Sequence, residues 1–152
     1  MLKILEEIFM SNSNERKIEQ LKLGDILNNR ELCSIFKCAN QGGMRRSLKT
    51  KTLVIISNHD SPLYHDRWEN QIFHYTGMGK KGDQNLEHFQ NRTLAESATN
   101  GVSVHLFEVK IKQEYSYIGQ VKLVKPPYFE NQADENGDSR QVCVFPLKII
   151  DI

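Results

Sequence analysis

The C-terminal part of the chain reads as strand after strand, and nothing else in the sequence constrains the fold as much. Residues 102–110, 115–124 and 141–149 are each rich in β-branched and aromatic side chains, and Pro126-Pro127 with an acidic loop through Asp138 separates the last two. Upstream, Thr52-Leu53-Val54-Ile55-Ile56-Ser57 is a β-branched run bounded by polar residues, the pattern of a buried strand, and residues 71–75 form a shorter one. Two helices interrupt the strands. Residues 29–38 place Leu32, Ile35 and Phe36 on one face behind Asn28 or Asn29 as a cap. Residues 83–97 open on Asp83 and place Leu86, Phe89, Leu94 and Ala95 at helical spacing. The order helix, strand, strand, helix and then strands predicts an α+β domain on a curved, partly barrel-like sheet, mixed or antiparallel, with two or three helices.

A chain of 152 residues supports one core of ordinary size. Residues 15–152 are expected to form it, with residues 1–14 as an extension in which Leu2, Leu5 and Ile8 or Phe9 share a helical face before the break at Ser11-Asn12-Ser13-Asn14. The apolar runs fall far short of the roughly 18 residues a membrane span needs. Glu6 and Glu7 interrupt what would be the apolar core of a secretory signal. With Cys33, Cys38 and Cys143 showing neither C-x-x-C nor zinc spacing, reduced thiols in a cytoplasmic protein are expected. The net charge of +1 gives no reason to expect nucleic acid, but its distribution does. Between Leu32 and His59 there is no carboxylate, while Lys37, Arg45, Arg46, Lys49 and Lys51 are cationic. Such a stretch suits a phosphate-binding edge, or simply a solvated face.

Enzymatic signals are missing. The sequence has no G-x-x-x-x-G-K-[ST], no G-x-S-x-G and no H-E-x-x-H. His59, His65, His74, His88 and His105 are scattered, and His59 and His65 with Asp60 and Asp66 match no standard metal-ligand spacing. No catalytic residue, metal or cofactor is therefore expected. More informative is Tyr64-His65-Asp66-Arg67-Trp68, followed by Phe73-His74-Tyr75-Thr76-Gly77. A pocket for an extruded base needs flat side chains on both ring faces and an acceptor for the exocyclic amino group of cytosine. Tyr64, Tyr75 and Asp66 have that chemistry, Thr76 and the backbone at Gly77 could complete the edge contacts, and Trp68 competes with Tyr64 as the second aromatic. Aromatics beside strands are more often core, so the set is suggestive only in combination.

The ordered motifs Tyr75-Thr76-Gly77-Met78-Gly79, Asp83-Gln84-Asn85-Leu86 and Asn91-Arg92-Thr93-Leu94-Ala95 resemble the Y-T-G-x-G, D-Q-x-L and N-R-x-L-A pattern of SRA (SET- and RING-associated) domains. The stretches N-Q-G-G-M-R-R-S, D-R-W-E and H-Y-T-G-M-G at residues 40–47, 66–69 and 74–79 are similar to bacterial SRA modules of SRA-HNH (McrA-like) modification-dependent restriction enzymes. The resemblance covers roughly residues 20–150. It implies a PUA-like fold and a reader of double-stranded DNA that flips a cytosine carrying a 5-methyl or 5-hydroxymethyl group. In that reading Tyr75 stacks on the base, Asp66 accepts from its amino group, and Tyr64 lies within a residue of the second stacking position.

Two departures shape the expectation. Only Lys80-Lys81-Gly82 separates Y-T-G-x-G from D-Q, where eukaryotic members have a longer loop that reads the opposite strand, so hemimethyl discrimination is not expected. Ile118 replaces the Asp of Y-D-G, which makes Tyr117-Ile118-Gly119 structural, with Gly119 at a bulge or close contact. Gln41 to Arg46 becomes the candidate for duplex entry, with Met44 as an apolar wedge and Arg45, Arg46, Lys49, Lys51, Lys80 and Lys81 on phosphates. The expected role is modification-dependent restriction or anti-phage defence. The alternatives are a recognition subunit whose nuclease partner is another chain, and a protein-interaction module on the same fold.

Overall fold

A computed structural model describes residues 16–59 and 64–150. The predicted helix at residues 1–9, and the proposed 1–14 extension as a whole, lie outside them. After a single 3-10 turn at Ile18–Gln20 comes strand β1 (Ile26–Leu27), then helix α1 (Asn29–Phe36). Asn28 caps α1 through a reciprocal pair of bonds: its side chain accepts from the Glu31 amide at 2.8 Å, and the Glu31 carboxylate accepts from the Asn28 amide at 3.1 Å. The helix buries Leu32, Ile35 and Phe36, the face read from the sequence, and ends at Lys37, whose φ of 54° is left-handed.

Strands β2 (Met44–Ser47), β3 (Thr52–Asn58), β4 (Arg67–Glu69) and β5 (Ile72–Thr76) precede helix α2 (Gln90–Ala95). Strands β6 (Ser103–Ile111), β7 (Glu114–Leu123), β8 (Tyr128–Ala133) and β9 (Ser139–Ile149) follow it. They form one sheet in the order β2-β3-β6-β7-β9-β5-β4, with β1 added to β7 and β8 to β9. Among the described residues only β3 and β6 run parallel, so the sheet is mixed, and the order has two free ends, so it is open rather than a closed barrel. Curvature is nonetheless strong. The Tyr75 hydroxyl on β5 donates to the carbonyls of Gly43 (3.0 Å) and Ile56 (3.2 Å), joining strands that β6, β7 and β9 separate in the sheet order.

The inner face of this curve holds the main core, including Leu53, Ile55, Phe73, Tyr75, Leu106, Phe145 and Leu147. The outer face packs Val54, Phe107 and Tyr117 against Leu27 and α1, so successive residues of β3 serve opposite cores. Between Leu106 and Phe107 the register with β7 shifts, leaving Ile118 as the extra residue of a bulge beside Gly119, which has φ 133°. A Cβ at Gly119 would lie 2.9 Å from the Leu23 side chain, which satisfies both structural roles expected of it.

Two segments differ from the sequence reading. The helix expected over residues 83–97 forms only at Gln90–Ala95. The Gln84 side chain is drawn away to the carbonyls of Gly77 and Gly79 and the amide of Cys143, and the Asp83 carboxylate accepts from the Gln141 amide instead of capping a helix. Strand β8 was hidden in the supposed acidic loop. It is fastened by side chains distant in sequence, with Arg67 donating to both Glu130 carboxylate oxygens at 3.1 and 2.7 Å.

Candidate nucleic-acid interface

The end of β3 and the end of β5 meet at one carboxylate. Asp66 precedes β4; one of its oxygens accepts from the Thr76 amide at 2.7 Å and the other from the Ser57 hydroxyl at 2.8 Å. The Thr76 side chain also bonds to it, and since an ionised carboxylate has about four acceptor sites, Asp66 keeps capacity for a further donor. Burial raises the Asp66 pKa, and the bonds from Thr76 and Ser57 act against that. Tyr75 lies alongside, 3% exposed, its ring 6.3 Å from Phe73 and its hydroxyl held protonated by burial and by the charge of Asp66. Tyr64 is half-buried at the outer side of the same cluster, where burial raises its pKa and the charge of Arg140 opposes the rise.

Thr76 is buried as well, and its hydroxyl accepts from Gln132 of β8 at 3.2 Å. Gly77 is required by packing: a Cβ there would lie 2.6 Å from Asn91 Oδ1 and 3.1 Å from the Phe145 ring. Trp68 is 40% exposed, but its ring tilts over Phe73 at 4.9 Å and its Nε1 donates to Glu108 at 2.7 Å. The other Glu108 oxygen is 3.5 Å from His59 Nε2. The structure thus gathers Tyr64, Asp66, Tyr75 and Thr76 into one cluster and commits Trp68 to a neighbouring anchor. Among the described residues, no group of three or more His, Cys, Asp or Glu side chains could hold a metal ion. No helix among them is long and apolar enough to cross a membrane.

A family model described as "ScoMcrA-like, SRA domain" matches residues 23–152. The chain belongs to the ScoMcrA-like SRA domain family. No curated protein matches it. Among solved structures, the sulfur-binding and SRA domains of ScoMcrA complexed with phosphorothioated DNA align with TM-score 0.70 at 18% identity, covering 88% of this chain and 41% of that one. The DNA recognition domain of the cytosine modification-dependent restriction endonuclease LpnPI gives 0.66 at 16% identity, with coverage of 87% and 74%. The SRA domain of SUVH5 in complex with methylated CHH DNA gives 0.62 at 23% identity, covering 88% and 91%. At such identities the likeness establishes the fold, and the chain spans well under half of the ScoMcrA chain it matches.

Against this SRA framework the cations predicted for phosphates separate into different environments. Gln41, Gly42 and Gly43 are exposed, and Gly43 is tied to the Tyr75 hydroxyl, so the glycine loop borders the cluster. Met44, expected as a wedge, is 8% exposed and belongs to the inner core, because as the first β2 residue it pairs with Ile55 and points inward. Arg45, expected on phosphate, is 5% exposed: it donates to the Gly42 carbonyl at 2.8 Å and to Asn29 of α1 at 2.6 Å, and lies over the Tyr115 ring. Arg46 is half-buried and reaches Thr93 of α2 at 3.4 Å. Lys49 and Lys51 are exposed at the far end of the β2–β3 hairpin, about 20 Å from Ser57 at roughly 3.3 Å per residue. Lys80 and Lys81 are exposed on the loop after β5, with Lys81 3.9 Å from Glu135.

Arg45→Ala should consequently act on folding. Losing these bonds at a buried site is expected to cost about 2–4 kcal/mol in denaturant unfolding. The salt dependence of DNA binding by the folded fraction should stay unchanged, whereas loss of a phosphate contact would reduce that slope by about one.

Sequence reasoning missed Ser57, Glu108, Gln132 and Arg140. Glu108 did leave a signal, as a carboxylate between the apolar residues Phe107 and Val109 of a strand. Ser57 closes a strand and looks like a boundary residue. Gln132 and Arg140 sit in what reads as a loop, so nothing local marks them.

Proposed function

We propose that this SRA domain reads modified DNA by accepting a C5-substituted cytosine, rotated out of the duplex, beside Asp66 and between Tyr64 and Tyr75. The observation that carries the reading is the Asp66 carboxylate, held by Ser57 and Thr76 with acceptor capacity to spare and tyrosines nearby. An amino group at cytosine C4 is the donor this acceptor suits. Gly77 serves packing, and the edge contacts fall to Asp66 and the Thr76 region. Tyr75 is covered in the free protein, so the pocket opens as the base enters. Stacking, about 1–3 kcal/mol per base, and the charge-assisted bond to Asp66 offset that opening and the few kcal/mol of extrusion. Lys80 and Lys81 with the Gln41–Gly43 loop supply the duplex contacts nearest the pocket. Within a modification-dependent restriction system the chain acts as the recognition part.

The test is a binding titration of duplexes identical except at one cytosine C5, repeated across pH. Ionised Asp66 accepts through both oxygens, whereas protonation turns one of them into a donor, and burial raises its pKa above the ordinary value. Preference for the modified duplex should therefore be full near about pH 8 and decline as pH falls through that raised pKa, where the protonated carboxyl presents a donor to a donor. Binding to unmodified duplex does not draw on the Asp66 contact and should not weaken over the same interval. A preference that persists unchanged at low pH would exclude Asp66 as the acceptor.

A further inference from the structure

Behind Thr76 lies a pair of buried polar side chains whose hydrogen bonding is incomplete. Gln132 on β8 and Arg140 on β9 face each other across the strands, at 4% and 3% exposure. Among the described residues, four buried side-chain nitrogen or oxygen atoms lack a hydrogen-bond partner, and three belong to this pair: Gln132 Oε1, Arg140 Nε and Arg140 Nη2. The fourth, Arg46 Nε, is on β2. Leaving such groups unpaired costs about 1–3 kcal/mol each, and more when the group is charged, so a cluster of three calls for an occupant.

Their orientation is fixed by what they do bond. The Gln132 amide nitrogen donates to Glu130 at 2.8 Å and to the Thr76 hydroxyl at 3.2 Å, which turns its carbonyl oxygen away from both. Arg140 Nη1 donates to the carbonyls of Gly79 and Gly82, leaving the Nε–Nη2 edge unused. The bonded atoms of the pair contact Thr76 and the Gly79–Gly82 loop, and the Arg140 charge acts on Tyr64, so the unsatisfied atoms belong to side chains that adjoin the pocket residues. Thr76 is also the residue whose amide holds Asp66. On cytosine, C5 adjoins the carbon bearing the amino group, so a base whose amino group meets Asp66 carries its C5 substituent alongside that contact.

We infer that Gln132 and Arg140 determine which modification is read, by binding the hydroxyl of a 5-hydroxymethylcytosine. The hydroxyl hydrogen donates to Gln132 Oε1 and the hydroxyl oxygen accepts from the Nε–Nη2 edge of Arg140, so one group satisfies acceptor and donor together. A methyl group satisfies neither. A carboxyl group would suit Arg140 but set a negative charge against the Gln132 carbonyl and near Glu130.

This inference rests on the base-reading function proposed above, and the two fail differently. The full chain is titrated against duplexes carrying cytosine, 5-methylcytosine, 5-hydroxymethylcytosine or 5-carboxylcytosine at one position. The hydroxymethyl duplex is expected to bind about tenfold or more tighter than the methyl duplex. Gln132→Met, which keeps length but removes the acceptor, should bring that ratio to within about twofold. The inference is overturned, with base reading intact, if methyl or carboxyl matches or exceeds hydroxymethyl. The same holds if folded Gln132→Met keeps the wild-type ratio. If no modified duplex outbinds plain cytosine, both readings fall. The wild-type ratio decides the matter even if the variant does not fold.

Discussion

Asp66→Asn is expected to reduce binding of a modified-cytosine duplex about a hundredfold while leaving the fold as stable as before or more so. Asparagine keeps the carbonyl that accepts from the Thr76 amide and places an NH2 where the second oxygen accepts from Ser57, whose hydroxyl can turn to accept. The fold around Asp66 is thereby retained. The cytosine amino group, however, now meets a donor in place of an acceptor. A hydrogen bond to a charged group is worth about 1.5–3 kcal/mol, and a site built around such a bond penalises a ligand that leaves it unmade. Stability moves the other way because burial raises the Asp66 pKa. A carboxyl with a raised folded-state pKa favours folding most when protonated and opposes it once ionised, so at neutral pH the uncharged asparagine relieves a cost. The same change should shift relative preference toward a base with a keto oxygen at C4, which accepts from the new NH2. Fluorescence-detected titration with matched duplexes, alongside thermal unfolding, separates the two effects. If Asp66→Ala still prefers the modified duplex, the pocket has been placed wrongly.

What the sequence disclosed follows the range of the interactions involved. Strand β3 and helix α1 were legible because their signals are local: a β-branched run for one, an Asn28–Glu31 capping pair and an apolar face for the other. Strand β8 was not, because Glu130 and Gln132 look like loop residues until Arg67 and Arg140 are brought to them by register and curvature. The basic stretch misled for a related reason. A run of cations says nothing about which side of a strand each occupies, and Arg45 turns out to point at Asn29 and Tyr115 while Met44 enters the core. In the candidate site, Asp66 and Tyr75 were singled out chiefly through motifs in a fixed order. Their chemistry alone did not distinguish them from a turn residue and a core aromatic, and Tyr75 is in fact buried like the latter.

Those ordered motifs meet physically at Asn91, and that contact should carry the largest effect on stability. Asn91 is 0% exposed; its carbonyl accepts from the Met78 amide at 2.7 Å, and its NH2 donates to the carbonyls of Met78 and Asn85 at 3.0 and 3.1 Å. One side chain thus ties α2 to the loop that follows Thr76, and Gly77 is glycine because a Cβ would lie 2.6 Å from Asn91 Oδ1. Asn91→Ala strands the Met78 amide and carbonyl, while the Asn85 carbonyl keeps the His88 amide, and it leaves a cavity, with an expected cost of about 3–5 kcal/mol in urea unfolding. Gly77→Ala is expected to cost about 1–3 kcal/mol through overpacking against Asn91 and Phe145. The two should be strongly non-additive, since removing the Asn91 amide removes most of what the new methyl strikes. The double variant should therefore be little worse than Asn91→Ala alone. Full additivity would place the constraint on Gly77 at Phe145, 3.1 Å from the same Cβ, and separate the Y-T-G-x-G glycine from the N-R-x-L-A asparagine as independent features of the domain.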